Sequence, residues 1–224
     1  MRKVTGDEMK AIDKFAIRGL EIPGILLMEN AALKLLKNID IVMKTKIAIV
    51  CGTGNNGSDG LALARHLLNL DHNLKIYIIG EINRDNSDYM TYYNILLNLG
   101  VEFETIHTIG DLETFEETIS KMDLVVDAIF GTGLTSQVKG IQEYVIEMMN
   151  HSGVEILSVD IPSGIDANTG KIMGVCVNPH KVVTFQFMKE GIARNPLICN
   201  DVVVESISIP KKAIERILGK QVIF

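Results

Sequence analysis

Residues 46–60, KIAIVCGTGNNGSDG, decide the fold: an apolar run stops at Cys51 and opens into a loop holding Gly52, Gly54, Asn55, Asn56, Gly57 and Asp59. Such a run is a buried strand that delivers a ligand loop. Its glycines spell G-x-G-x-x-G, the dinucleotide fingerprint, in which backbone N–H groups approach a pyrophosphate at a helix N-terminus. Alone, that spelling also describes a tight strand-to-helix turn with no ligand. Asn55, Asn56 and Asp59 add amide and carboxylate groups where a plain phosphate loop stays small and uncharged.

Outward from this loop the pattern is one of alternation. Thr5 and Glu8 spell a capping box for a helix running to about Arg18, and Pro23 suits the first turn of a second helix carrying Ile25, Leu26, Met28, Leu33 and Leu36. From Lys46 onward, apolar strand-like runs (46–51, 75–80, 101–106, 124–130, 155–160, 181–187, 202–209) alternate with helical stretches at 58–70, 88–99, 112–120 and 140–151. This predicts an α/β fold, a Rossmann-like three-layer α/β/α sandwich with a mostly parallel central sheet and two N-terminal helices. No repeat or linker interrupts it, so one domain over 1–224 is expected.

Composition narrows the partners. A chain of 224 residues that is 47% hydrophobic has ample material for one core. A net charge of −6 without a Lys/Arg cluster argues against a nucleic-acid surface. Cys51, Cys176 and Cys199 are odd in number and match no metal spacing, which favours free thiols in a reducing compartment. The charged N-terminus MRKVTGDEMKAIDK does not read as a signal peptide, and Glu29, Lys34 and Asp127 interrupt the best candidates for a membrane span. The expectation is a cytoplasmic protein that handles a small molecule.

In parallel sheets, ligands bind outside the carboxyl ends of the strands. Polar, glycine-bearing segments follow three further runs: Gly131–Leu134 after Asp127, IPSGIDANTG after Asp160, and Met188–Gly191 after the run KVVTFQF at 181–187. If those strands are neighbours, their loops converge on one crevice holding carboxylates, a hydroxyl, amides and Lys189.

Five segments together, LMENAA (27–32), GNNGSDGLALARHL (54–67), DAIFGTGL (127–134), SVDIPSGIDANTG (158–170) and TFQFMKEG (184–191), resemble the NAD(P)HX epimerase family, the YjeF N-terminal domain. The resemblance covers nearly the whole chain as a single YjeF N-terminal-like domain. It implies a Rossmann-like fold, a homodimer, and interconversion of the R and S forms of hydrated NADH or NADPH, so that a separate dehydratase can restore the cofactor. With Phe224 the last residue, the dehydratase domain of the larger bacterial relatives is not expected on this chain.

The same resemblance implies a substrate loop at Asn55, Asn56, Gly57, Ser58 and Asp59, and a second binding segment at Gly131, Thr132, Gly133, Leu134, Thr135, Ser136 and Gln137, with a substrate contact at Asp160. It also implies one K+ per subunit held by Asn56, Asp127 and Ser163, oxygen donors of the kind a hard cation prefers. Ser58 departs from the family, which has a second glycine there; a serine at a helix start serves as a cap.

The substrate carries a hydroxyl on the carbon beside the ring nitrogen. Loss of that hydroxyl to give a planar cation, or ring opening and reclosure, would each invert the centre, and each needs an acid/base group, assigned here to Asp160. Two other classes share parts of the pattern. A nicotinamide-dependent oxidoreductase would use the fingerprint with Glu81 as its ribose acid. A noncatalytic dimeric scaffold of the same fold would have no need of Asn56, Asp59, Asp127, Asp160 and Ser163 together. Cys51 reads as a packing residue, Glu29 and Asn30 as links between the second helix and the core, and His66 as a helix-surface or partner-contact residue.

Overall fold

The computed structural model describes residues 2–70, 72–195 and 201–219. Its centre is a seven-stranded sheet made of β2 (Lys46–Cys51), β3 (Asn73–Ile79), β4 (Phe103–Ile106), β5 (Leu124–Ala128), β6 (Ile156–Val159), β7 (Lys181–Phe185) and β9 (Val202–Glu205). The spatial order is β4-β3-β2-β5-β6-β7-β9, and every pairing is parallel. The strands are apolar almost without alternation because helices cover both faces. In β2, Ile47, Ile49 and Cys51 pack into one core and Ala48 and Val50 into the other.

The first core lies under α1 (Gly6–Lys14), α2 (Gly24–Lys37), α3 (Asn55–Leu68), α4 (Ser87–Asn98) and the C-terminal α8 (Lys211–Leu218); the second lies under α5 (Leu112–Ile119) and α6 (Ile141–His151). The chain winds outward from β2 through β3 to β4, then returns by way of α5 to lay β5 on the other side of β2. That reversal opens a crevice between the carboxyl ends of β2 and β5, where ligands of open α/β sheets bind.

Local signals explain most boundaries. Thr5 and Glu8 form the reciprocal capping box, with Thr5 Oγ1 accepting the Glu8 N–H at 3.0 Å and Glu8 Oε2 accepting the Thr5 N–H at 2.8 Å. The first helix keeps α-type bonding only to Lys14 and continues to Gly19 as a π-helical turn. Helix α3 starts at Asn55, three residues before its expected start, because Gly54 caps it with backbone alone. Ser58 is therefore not a cap: it is fully buried within the helix and donates from Oγ to Gly54 O at 3.3 Å.

Three features go beyond the sequence pattern. A two-residue strand, β1 (Lys3–Val4), precedes the helices and pairs in parallel with β8 (Met188–Lys189), which is followed directly by α7 (Glu190–Arg194). The segment expected as a loop at 188–191 is thus structured, and it pins the N-terminus across the strand ends. Cys51 and Cys176 are buried free thiols, with Cys51 pushed far up by burial, and Cys199 lies outside the described residues. Among the described residues, no helix is long and apolar enough to cross a membrane.

Helix α3 rests close on the sheet at Gly60. A Cβ there would lie 2.8 Å from Ala128 Cβ and 2.9 Å from Cys51 Sγ. Gly60→Val is expected to destabilise the fold by about 1–3 kcal/mol through overpacking, read as a lower urea midpoint at unchanged slope; an unchanged midpoint would contradict this packing.

Candidate active site

A cavity of about 970 Å³ opens at the switch point, at the upper end of the range for ligand pockets. Gly52–Asn56 and Asp59 form one side, the loop Ile129–Ser136 another, and Asp160, Phe185 and Lys189 the end facing β6 and β7. Helices α1 and α2 roof it, with Lys10, Asp13, Lys14, Arg18, Leu27 and Met28 among the lining residues. Two of the expected loops therefore meet at one place with Asp160.

Not every expected residue faces the space. Gly57 and Ser58 are buried beneath the loop, and Gln137 is not among the lining residues, its side chain lying toward Gly174. Gly57 sets the shape of the turn, since a Cβ there would stand 1.8 Å from Gly52 O. With Gly54 as a cap that lacks a side chain, the first N–H groups of α3 are offered to the cavity, a setting that favours anions.

Asp127 and Ser163 also lie outside the cavity wall, fully buried and in contact with each other. The strand register sets Asp127 between Val50 and Ser158. Its Oδ1 accepts the Ile129 N–H at 3.3 Å and the Ser163 hydroxyl, and its Oδ2 accepts the Ser158 hydroxyl at 2.7 Å and the Ser163 N–H at 2.9 Å. Burial raises the Asp127 carboxyl above its usual range, and these hydrogen bonds partly offset the rise. Ser163 Oγ also accepts the Phe130 N–H at 2.8 Å, tying the network to the cavity loop.

Asn56 completes the set. Only 8% exposed, it lies against Gly131, and its Nδ2 is buried without a hydrogen-bond partner. Amide, carboxylate and hydroxyl oxygens are donors that fit a hard cation, and a half-turn of the Asn56 carboxamide brings its oxygen to the orphaned position. Among the described residues, no three His, Cys, Asp or Glu side chains cluster as a metal site of the other kind.

Asp160 sits at the end of β6 with φ of +62°, in the left-handed region that few residues other than glycine enter and where Asp is over-represented. The surroundings hold it there. Its N–H donates to Val183 O at 2.8 Å, while Oδ1 accepts the Phe185 N–H at 3.0 Å, Thr184 Oγ1 at 3.1 Å and the Lys189 ammonium. Lys189 is fully buried and also donates to Thr184 Oγ1 at 3.0 Å and Phe185 O at 2.8 Å. Its ammonium therefore has three acceptors and no donor to spare, so its part in the site is to hold Asp160.

Two more carboxyls share this electrostatic environment. Burial pushes Asp13 up to about 7, with Asp160 adding to the rise and Lys189 opposing it. Asp59 stands well above its usual range for the same first reason, with Asp160 and Asp13 raising it further. Asp13 had no place among the expected site residues, nor did the stripe Lys10, Lys14 and Arg18. The four-residue spacing of that stripe was a readable signal, because it puts three cations on one helix face.

Elsewhere the links expected of Glu29 and Asn30 hold, while His66, expected on the surface, is mostly buried against Glu29. Glu29 joins α2 to α3 and α4 through Arg65, through His66 Nε2 at 2.8 Å and through Tyr92 Oη at 3.1 Å, and Asn30 Nδ2 donates to Ile207 O at 3.3 Å.

Comparison with known proteins places this geometry in context. Residues 24–191 match the family described as YjeF-related protein N-terminus. An NAD(P)H-hydrate epimerase of Anaerococcus prevotii is 39% identical over 218 residues, spanning 97% of this chain and 100% of that protein. The bifunctional NAD(P)H-hydrate repair enzyme Nnr of Moorella thermoacetica is 36% identical over 96% of this chain, which spans only 42% of that longer protein. In fold, the crystal structure of yeast ynu0 superposes with a TM-score of 0.81 at 21% identity, covering 97% of this chain and 93% of that one.

Lys189→Met would leave Asp160 without its cation and strip three acceptors of their donor. The expected loss of stability is roughly 3–5 kcal/mol, measured by urea denaturation at pH 7; a loss below about 1 kcal/mol would show the pair to be dispensable.

Proposed function

The chain belongs to the family of YjeF-related protein N-termini, and from that premise we propose that it is an NAD(P)H-hydrate epimerase, an isomerase acting on the R and S forms of hydrated NADH and NADPH. The observation that carries this reading is the 39% identity across the full length of an NAD(P)H-hydrate epimerase. The motifs that gave the resemblance meet around one cavity, which supports it. A scaffold would not keep this set of buried and cavity-facing polar groups without using them.

In this reading the diphosphate lies at the start of α3, near Asn55, Asn56 and Asp59, with Gly57 and Ser58 shaping the loop from beneath. Lys10, Lys14 and Arg18 add positive charge from α1, and Gly131–Ser136 close over the dinucleotide, with Gln137 outside the contact. The hydrated ring is set against Asp160. This carboxylate is fixed on one oxygen by Phe185 N, Thr184 and Lys189, while no described hydrogen bond engages Oδ2, which is left to exchange a proton with the substrate hydroxyl or with water.

Asn56, Asp127 and Ser163 hold one potassium ion per subunit in the same proposal. When bound, the ion supplies a fixed positive charge that favours the anionic parts of the ligand. The protein works as a homodimer in the cytoplasm, in series with a dehydratase; the bifunctional relative is a repair enzyme of which this chain spans 42%.

The test mixes the purified protein with epimeric NADHX and an S-specific dehydratase and follows recovery of NADH absorbance. The protein is expected to accelerate recovery from the R form, and Asp160→Asn to slow it by about 10²–10⁴-fold. Absence of acceleration by folded protein in potassium buffer would sink the epimerase reading. Replacing potassium by tetramethylammonium is expected to lower the melting temperature, and Asp127→Asn to abolish that difference; equal melting in both salts would remove the ion from the proposal.

A further inference from the structure

Inversion by loss and return of a hydroxyl demands two proton transfers of opposite sense. One group gives a proton to the departing oxygen, and another takes a proton from the water that adds to the other face. A single carboxylate fixed on one element is poorly placed for both. The cavity contains a second carboxyl in reach of the same electrostatic field, on a different element. Asp13 lines the cavity from α1, whereas Asp160 reaches it from the end of β6. Asp13 Oδ1 is buried with no hydrogen-bond partner, so nothing in the fold uses it.

Resting on the epimerase reading, we propose that Asp13 is the second acid/base group of this site and works as a pair with Asp160. In one direction the Asp13 carboxyl gives its proton to the substrate hydroxyl, the C–O bond breaks, and the ring nitrogen lone pair forms the C=N bond of a planar cation. Water then forms a new C–O bond from the other face and yields a proton to the Asp160 carboxylate. The products are the opposite epimer and one released water, for one water consumed, with a proton moved from Asp13 to Asp160. Bulk water resets the pair, and the reverse reaction exchanges the roles.

The two groups have different surroundings. Lys189 donates directly to Asp160 Oδ1. Asp13 has no such donor: it is pushed up to about 7, chiefly by burial, with Lys189 opposing the rise and Asp160 adding to it. Asp59, itself raised by burial, is the other carboxyl in the cluster, and Lys10 and Lys14 on the same helix face the cavity. Asp13 folded thus binds its proton more tightly than Asp13 unfolded, near 3.9. The stability associated with that proton is present below about 4 and is lost as pH rises towards 7.

The test uses the full chain in the coupled NADHX assay, with Asp13→Asn and Asp13→Glu beside wild type. Asp13→Asn is expected to cut kcat by about 10²–10⁴-fold with little change in KM, and Asp13→Glu to restore part of it. Wild-type kcat/KM should fall as pH rises through about 7, and the residual activity of Asp13→Asn should lack that limb. The same variant should melt no lower than wild type at pH 8, because it removes a desolvated charge; a residue kept for structure would lower it. Full turnover by Asp13→Asn, or lost turnover with the alkaline limb intact, would overturn the assignment while leaving the epimerase reading in place. Failure of wild type itself would instead remove the reading, and this inference with it.

Discussion

The site depends on one buried cation. Lys189 has no exposure to solvent, and taking an ammonium out of water costs several kcal/mol unless its donors are met. Here Asp160, Thr184 Oγ1 and Phe185 O meet them. The lysine belongs to the short strand that pairs with Val4, so the same residue that fixes Asp160 also anchors the N-terminal segment that leads into α1. Position and charge are set together: the roof helix and the carboxylate beneath it are held by neighbours of a single ammonium.

That ammonium is outnumbered. Asp13, Asp59 and Asp160 all lie on the cavity, and of the three only Asp160 has a described hydrogen bond to the Lys189 ammonium. Asp13 and Asp59, without that contact, are pushed towards their protonated forms chiefly by burial. A carboxyl raised by burial on the same cavity as one bonded to Lys189 follows from the geometry, with no special chemistry in any one residue.

Below the cavity a second polar group is handled differently. Asp127 sits in a central strand where no water reaches, and it is tolerated because its two oxygens receive four donors from Ser158, Ser163 and Ile129. Through the Phe130 N–H bond to Ser163, this network also fixes the start of the loop that lines the crevice. A buried carboxylate thus serves as the joint between β5, β6 and the ligand loop.

Much of this was legible in the chain itself. Apolar runs separated by glycine-bearing loops determined the parallel strands, the positions of the crossover helices and the loops at strand ends, because strand burial and helix capping are encoded within a few neighbouring residues. Thr5 and Glu8 announced α1, whereas α3 began earlier than its pattern suggested, since a glycine cap leaves no side-chain signal. The pairing of Val4 with Lys189 had no such signature: a two-residue strand has no periodicity and exists only where the fold brings a partner. The same holds for Asp13, which in sequence is one polar residue on a helix. Its burial, its unpartnered oxygen and its nearness to Asp160 arise from elements far apart along the chain, so desolvation and charge, which depend on distance in space, were decided by the tertiary structure alone.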